Sequence, residues 1–376
     1  MLKNMRDKNK FRGCLIGGAI GDALGYAVEF MHIDRILQKY GENGITSYEL
    51  KNGIAEISDD TQMTLFTANG LLVGMTRFSM RGIAGSPESY CMHCYHAWLK
   101  TQNETYGEWE SKDEDVTTKE NPYLITKPEL YYRRAPGNTI LRVLNNKLYG
   151  TIDKPVNDSK GCGGVMRVAP IGLYFNNNDF SKTAMYGAEN AALTHGHDLG
   201  YIPAAALVYI INRIMYDEKE KNIEIIINDC VEEMNLMFSD KPHIKEFVDI
   251  MEKAIKLSKT NKNDIEAITE IGEGWVAEET LAIAVYCSLK YKDDFEKAII
   301  ASVNHSGDSD STGSVTGNIL GTIHGFDGLP EKYLLNLELK DIILEMADDL
   351  FNDCQIYEFK EGWTAEDEKW YKKYCC

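Results

Sequence analysis

The sequence predicts an all-α protein, a single compact helical domain over residues 1–376 with few or no short strands. Three observations point there. Apolar residues recur at helical spacing along most of the chain, strand-like alternation is confined to one stretch, and no repeat of about 20–50 residues is present. With 376 residues, 44% of them hydrophobic, the chain can bury a large core.

The first helix is expected over residues 13–30 (GCLIGGAIGDALGYAVEF), with glycine at 13, 17, 18, 21 and 25. Each interior glycine costs a helix about 1 kcal/mol relative to alanine. Five of them imply close approach to a neighbouring backbone or to a site. Residues 45–57 (ITSYELKNGIAEI) carry the strand-like alternation, and Asn52-Gly53 would turn a short hairpin. Helices follow over 59–73 and 86–100. Residues 101–137 are polar, acidic and proline-bearing, and read as a surface insertion rather than a domain boundary. Further helices are expected over 181–194, 198–216, 222–238, 242–258, 276–290, 293–304 and 338–353. The stretch 276–289 is apolar nearly all round after its first turn and should be buried.

Charge narrows the function. Forty Lys and Arg against 58 Asp and Glu leave a formal charge of −18, which argues against non-specific binding to nucleic acid or an anionic membrane. Any phosphate ligand would need local help from metal ions, backbone amides or a well-placed arginine. Nine cysteines show no regular disulfide spacing. The first residues lack an apolar signal core, and no apolar run is read as long enough to span a bilayer. A reduced cytoplasmic setting is the expectation.

Two acidic clusters carry the chemistry. Ser58-Asp59-Asp60-Thr61 and Gly307-Asp308-Ser309-Asp310-Ser311-Thr312 each open a helical stretch. Serine and aspartate at a helix start are ordinary caps. Yet such oxygen-only sets also suit hard divalent cations such as Mg²⁺ or Mn²⁺. The second cluster copies the first half of a calcium loop, but its twelfth position is Ile319, where a bidentate glutamate is required. Converging carboxylates could instead hold two metals about 3.5–4 Å apart. Gly161-Cys162-Gly163-Gly164-Val165-Met166-Arg167 is neither a Walker loop nor a dinucleotide fingerprint, but glycines entering a helix can offer amides to phosphate. Cys91 and Cys94 form a CxxC without a partner pair and read as buried helix cysteines. No grouping of metal-ligating histidines is visible, and His195 and His197 read as a helix end.

Gly13-Cys14-Leu15 with Gly17, Gly21-Asp22-Ala23-Leu24-Gly25 and Glu29, Ser58-Asp59-Asp60-Thr61, Gly161 and Gly163 with Met166-Arg167, Thr194-His195, and Gly307-Asp308-Ser309-Asp310-Ser311 follow in order along the chain. As a set they resemble the ADP-ribosylglycohydrolase family. The resemblance implies an all-helical fold and a binuclear Mg²⁺ or Mn²⁺ centre with Ser58, Asp59, Asp60, Asp308, Asp310 and Ser311 as ligands. It implies a catalytic role for Glu29, with Asp59, Asp60, Asp308 and Asp310 serving the chemistry through the metals. It also implies ADP-ribose contacts from Gly161, Cys162, Gly163, Gly164, Met166, Arg167 and His195. Many members carry Asn where this chain has Cys162. The expected activity is metal-dependent removal of ADP-ribose from a modified protein side chain, arginine first, or from a related conjugate. The alternative is a catalytically silent ADP-ribose-binding or structural protein.

Overall fold

The computed structural model describes residues 6–108, 122–176 and 179–375. In chain order its helices are α1 (Lys8–Tyr26), α2 (Ile33–Tyr40), α3 (Asp59–Arg81), α4 (Pro87–Asn103), α5 (Asn138–Asn145), α6 (Ala169–Tyr174), α7 (Phe180–Ala192), α8 (Asp198–Tyr216) and α9 (Ile223–Met237). They continue with α10 (Ile244–Ser258), α11 (Asp264–Ile271), α12 (Ala277–Lys290), α13 (Phe295–Val303), α14 (Ser309–His324), α15 (Glu331–Leu334), α16 (Lys340–Asn352) and α17 (Ala365–Tyr374). Short 3₁₀ turns occupy Tyr123–Thr126, Pro128–Leu130, Cys162–Arg167 and Phe326–Gly328. Among the described residues no strand forms, only isolated bridges. The fold is all-α.

The turn at Asn52-Gly53 does form: Lys51 and Ile54 exchange backbone bonds of 2.9 and 3.0 Å around two residues of positive φ, as a type I′ turn requires. It does not extend into a hairpin. Ala55 bonds instead to Asn336 and Glu338, ahead of α16.

The glycines of α1 meet those of α14. The two helices run antiparallel with their backbones in contact. A Cβ at Gly13, Gly17, Gly21 or Gly25 would stand 2.2, 2.4, 2.0 and 2.2 Å from the carbonyl oxygens of Gly321, Gly317, Gly313 and Ser309. The seam is glycine on both sides, because a Cβ at Gly313, Gly317 or Gly321 would lie 2.5, 2.0 and 2.1 Å from oxygens of Gly21, Gly17 and Gly13. Asn318 adds a bond from Nδ2 to the Cys14 carbonyl at 2.9 Å. Helices this close leave no room for side chains between them, so the seam fixes α1 and α14 in register.

A contiguous cluster of buried apolar side chains extends from Phe11 to Tyr374. Helix α8 is buried along its whole length, packed on α7, α12 and α6. It is long and apolar enough to cross a membrane by length and composition, which corrects the reading that no such run exists, yet its apolar window is wholly inside the fold. Cys91 and Cys94 are buried on α4 and form no disulfide, and Gly70 of α3 packs on the Cys91 backbone.

The insertion expected over 101–137 falls partly on 109–121, outside the described residues. Residues 122–137 are not an excursion. Leu124, Ile125 and Leu130 are fully buried, Asn69 accepts the Leu124 N–H at 3.2 Å, and Gln62 donates to the Tyr132 carbonyl at 3.0 Å. Arg134 pairs with Glu338 at 2.7 Å and Glu56 at 3.1 Å. The segment is polar by composition but held by α3.

Replacing Gly17 by Ala would raise helix propensity yet drive a methyl group into the Gly317 carbonyl. Gly17→Ala should therefore lower the free energy of unfolding by about 1–3 kcal/mol, read from the urea midpoint, whereas an unchanged or raised midpoint would contradict the seam.

Candidate active site

Asp22 links the glycine seam to the first acidic cluster. Fully buried on α1, its carboxylate accepts the backbone N–H of Ser58 at 2.8 Å and of Thr61 at 3.1 Å, together with the Thr61 hydroxyl. Ser58 in turn caps α3, its Oγ accepting from Asp60 N–H at 3.2 Å. The start of α3 is thus bound from both sides, which aims Asp59 and Asp60 into the space beside α1. The carbonyl of Arg134 takes the Asp59 N–H at 3.0 Å.

The second cluster is ordered the same way. Asp308 caps α14, accepting from Ser311 N–H at 3.2 Å, while its own N–H donates to Glu273 O at 2.8 Å. Gly307 before it has φ 129°, and a Cβ there would lie 2.0 Å from the Glu273 carbonyl. Thr312 is tied to Ser302 O at 2.7 Å and to His305 Nε2 at 2.9 Å. Asp310 follows on the first turn of α14, accepting Ser311 N–H at 3.0 Å.

Both helix starts open into one cavity of about 460 Å³, a volume usual for a small-molecule site. Its lining holds Glu29, Asp59, Asp60, Asp308, Asp310 and Ser311 with Gly161, Cys162, Gly163, Met166 and His195. A larger surface hollow of about 590 Å³ beside Gly53 and Glu338 gathers no such set. Cys162 begins the 3₁₀ turn Cys162–Arg167 and donates from Sγ to Asp308 Oδ2 at 2.8 Å. Its N–H bonds Trp275 O at 3.3 Å, and Thr64 of α3 donates to Met166 O at 3.2 Å, so the glycine turn is joined to both flanks of the site. His195 is buried, with Nδ1 2.8 Å from the Thr194 hydroxyl. Burial, then the positive charge of Arg167, lowers its pKa to about 3, which keeps the ring neutral.

The carboxylates crowd one another. Burial, then the charges of Asp310, Asp308, Asp59 and Asp22, pushes Glu29 up to about 11. Burial, then Asp310, raises Asp22 to about 7, and the same two causes raise Asp59, Asp60 and Asp308 well above the carboxylate range. No lysine lines the cavity, and Arg133 is the arginine on its wall. Glu29 Oε2 and Asp60 Oδ2 are buried without a hydrogen-bond partner. An all-oxygen donor set with orphaned, mutually repelling carboxylates fits hard divalent cations. No three of these carboxylates bring ligand atoms within 4.8 Å of one another.

Some expected contacts fall elsewhere. The Arg167 guanidinium is fully buried away from the cavity, 4.5 Å over the Tyr95 ring, with Nε and Nη2 donating to Asn190 at 3.2 and 2.8 Å. Its charge organises the α4–α7 packing, so a direct ligand contact from its side chain is corrected. Gly164 faces Ala191 and Gly200 rather than the cavity. Ser58 lies fully buried behind Asp59 and is not on the cavity wall. The lining also holds residues that sequence reasoning passed over: Arg133 and Thr139, and the stacked rings of Phe30 and Trp275, 5.8 Å apart at its lip with Phe30 72% exposed.

Known proteins resemble this chain in sequence and in fold. The sequence profile of the ADP-ribosylglycohydrolase family matches residues 3–358. A protein of Archaeoglobus fulgidus without assigned function is 26% identical over 350 residues, covering 92% of this chain and 96% of that one. The ADP-ribosylhydrolase ARH3 of Danio rerio is 25% identical, covering 92% and 90%. The ADP-ribosyl-[dinitrogen reductase] glycohydrolase of Rhodospirillum rubrum is 25% identical, covering 87% and 90%. Among solved structures, one titled ADP-ribosylglycohydrolase-related protein complex superposes with a TM-score of 0.55 at 19% identity, over 92% of this chain and 98% of that one, and shares the fold. With the profile spanning nearly its whole length, the chain belongs to the ADP-ribosylglycohydrolase family.

Proposed function

We propose that this enzyme hydrolyses ADP-ribosyl bonds to protein side chains, arginine-linked ones first, and that it works with two Mg²⁺ or Mn²⁺ ions in the acidic cavity. The observation that carries this reading is the meeting of Glu29, Asp59, Asp60, Asp308 and Asp310 with the glycine turn and His195 around one cavity. Asp59, Asp60, Asp308 and Asp310, with Ser311 and with Ser58 behind them, would hold the cations. Bound there, the ions supply charge neutralisation and a grip on hard oxygens such as a ribose diol. The described cysteines form no disulfide, which supports a reduced, cytoplasmic setting.

The remaining steps belong to the chain's own side chains. Breaking the anomeric bond leaves an oxocarbenium-like centre, water adds to it, and the acceptor departs with a proton. Glu29 Oε2, buried and unpartnered at the cavity edge, is the group placed to hold or move that proton. Neutral His195 can exchange hydrogen bonds with a sugar or base without adding charge. A Cβ on Gly163 would meet Ile140 Cδ1 at 2.7 Å and His195 Cε1 at 2.9 Å, so glycine there lets the turn pack directly against these two lining side chains. Arg133 supplies a positive charge to the same space.

Release of free ADP-ribose from arginine-, serine- and nucleotide-linked conjugates, assayed with Mg²⁺ and with Mn²⁺, tests the reading. Turnover is expected, and affinity for ADP-ribose with no turnover on any linkage would favour the silent binder. Glu29→Gln should lower kcat about 10²–10⁴-fold while leaving metal content unchanged. Asp308→Asn should instead lower metal affinity and turnover together, with the far-UV circular dichroism preserved.

Stability of the metal-free protein should depend on pH with a defined sign. A carboxyl whose folded pKa is raised stabilises fully below the ordinary carboxylate value, and that contribution is lost as pH climbs through the folded value. For Asp22 the loss runs up to about 7, and for Glu29 up to about 11. Cations bind the ionised form, so the rise in Tm on adding Mn²⁺ should be larger at about pH 8 than at about pH 5. An equal rise at both would contradict the crowded-carboxylate account.

A further inference from the structure

Asp198 and His243, 45 residues apart in the chain, meet outside the acidic cavity, and His197 joins them. His197 caps α8, and Asp198 is the first residue of that helix. His243 immediately precedes α10. Its ring Nδ1 lies 2.8 Å from Asp198 Oδ1, and its backbone N–H donates to Asp198 Oδ2 at 3.0 Å. His197 Nδ1 lies 2.9 Å from the same Oδ1, and the two imidazoles face each other with centroids 4.5 Å apart. One ligand atom from each of the three residues falls within 4.8 Å of the others, the one such group among the described residues.

The hydrogen bonding leaves a conflict. His197 Nδ1 accepts the Leu199 N–H at 3.0 Å, so it presents a lone pair, and Asp198 Oδ1 accepts the same N–H at 2.9 Å. Two acceptors 2.9 Å apart share one backbone proton. A second imidazole, that of His243, converges on the same oxygen, although the His197 ring already caps α8. Three potential ligand atoms thus converge, two of them sharing one backbone N–H.

We propose that His197, Asp198 and His243 form a metal site separate from the acidic cavity, taking Zn²⁺ or a similarly borderline divalent ion. Two imidazole nitrogens and one carboxylate oxygen are the donor set that such ions prefer, whereas Mg²⁺ and Ca²⁺ favour oxygen alone. Three protein ligands leave a fourth position for water, and the His243 side chain, 38% exposed, gives access from solvent. The site ties the turn before α8 to the start of α10. His195 on the cavity wall stands two residues away, across Gly196, which is pressed against the Asn157 carbonyl. A bound ion therefore stiffens the turn that carries His195.

The test uses the full chain, stripped by a chelator and held in excess Mg²⁺ so that oxygen sites are filled. Zn²⁺ is titrated against a chromophoric competitor. One equivalent is expected to bind the parent protein, weakened at least about tenfold in His243→Gln and in His197→Gln. Co²⁺ in place of Zn²⁺ should give visible absorption of a four-coordinate centre in the parent and lose it in His243→Gln. His197→Gln also removes a helix cap, so His243→Gln decides the matter once its metal-free melting curve matches the parent's. Zn²⁺ binding equal in parent and His243→Gln, or no equivalent held in excess Mg²⁺, overturns the proposal.

Discussion

The structure depends on backbone contact between two helices nearly 300 residues apart in the chain. Gly13, Gly17, Gly21 and Gly25 on α1 meet Gly321, Gly317, Gly313 and Ser309 on α14, and no residue with a Cβ could replace the glycines without moving one helix. Each glycine costs about 1 kcal/mol of helix propensity. Tight packing of one backbone on the other, with Cα–H contacts to carbonyl oxygens, offsets that cost. The consequence is positional. With Gly25 against Ser309, the start of α14 is delivered beside the end of α1, and Asp310 comes within electrostatic reach of Asp22 and Glu29.

Asp22 is the hinge of the arrangement. It sits one residue beyond Gly21, so the seam fixes its position, and its two oxygens take the amides of Ser58 and Thr61. Register along α1 is thereby transmitted to α3. The two acidic clusters converge because each is referred to the same glycine-rich helix, one through packing and the other through hydrogen bonds. A mutation at the seam, far from the chemistry, would displace both sets of carboxylates together.

Much of this was legible in the sequence, and the rest was hidden for physical reasons. The five glycines in one helix announced a close contact, and the clusters at residues 58–61 and 307–312 announced caps bearing carboxylates, because capping and acidity are local properties. Helix α8 was read with the bounds Asp198–Tyr216 that it has, since apolar periodicity gives its length, but His197, read as the end of the preceding helix, caps this one. Helices α2, α5 and α11, of 8 residues each, were missed because two turns give too few periods to detect. The segment 122–137 misled by composition: Arg134 looks like a surface residue until Glu338 is known to receive it, and Gln62 of α3 holds the Tyr132 carbonyl. Arg167 misled in the opposite sense, for an arginine beside a glycine turn suggests phosphate, while Tyr95 and Asn190, on helices distant in sequence, take its charge. Phe30, Trp275 and the histidine pair are assembled only by the tertiary fold.

Capping was the rival of chemistry for Ser58 and a calcium loop the rival for Asp308, and in the structure both residues cap helices. Both clusters stand at helix N-termini, where unpaired amides and the helix dipole carry partial positive charge. That charge, with the amides of Ser311 and Asp60 directed at Asp308 and Ser58, partly offsets the repulsion of carboxylates in a cavity without lysine. The offset is incomplete, as the raised pKa values of Asp59, Asp60, Asp308 and Glu29 show. Capping does not use every carboxylate of the site: Asp60 Oδ2 and Glu29 Oε2 stay buried without a hydrogen-bond partner. A cap that used every lone pair would hold the helix and leave nothing to bind with. Here Ser58 and Asp308 secure the helix starts, while Asp60 Oδ2 is left fixed and unsatisfied beside them.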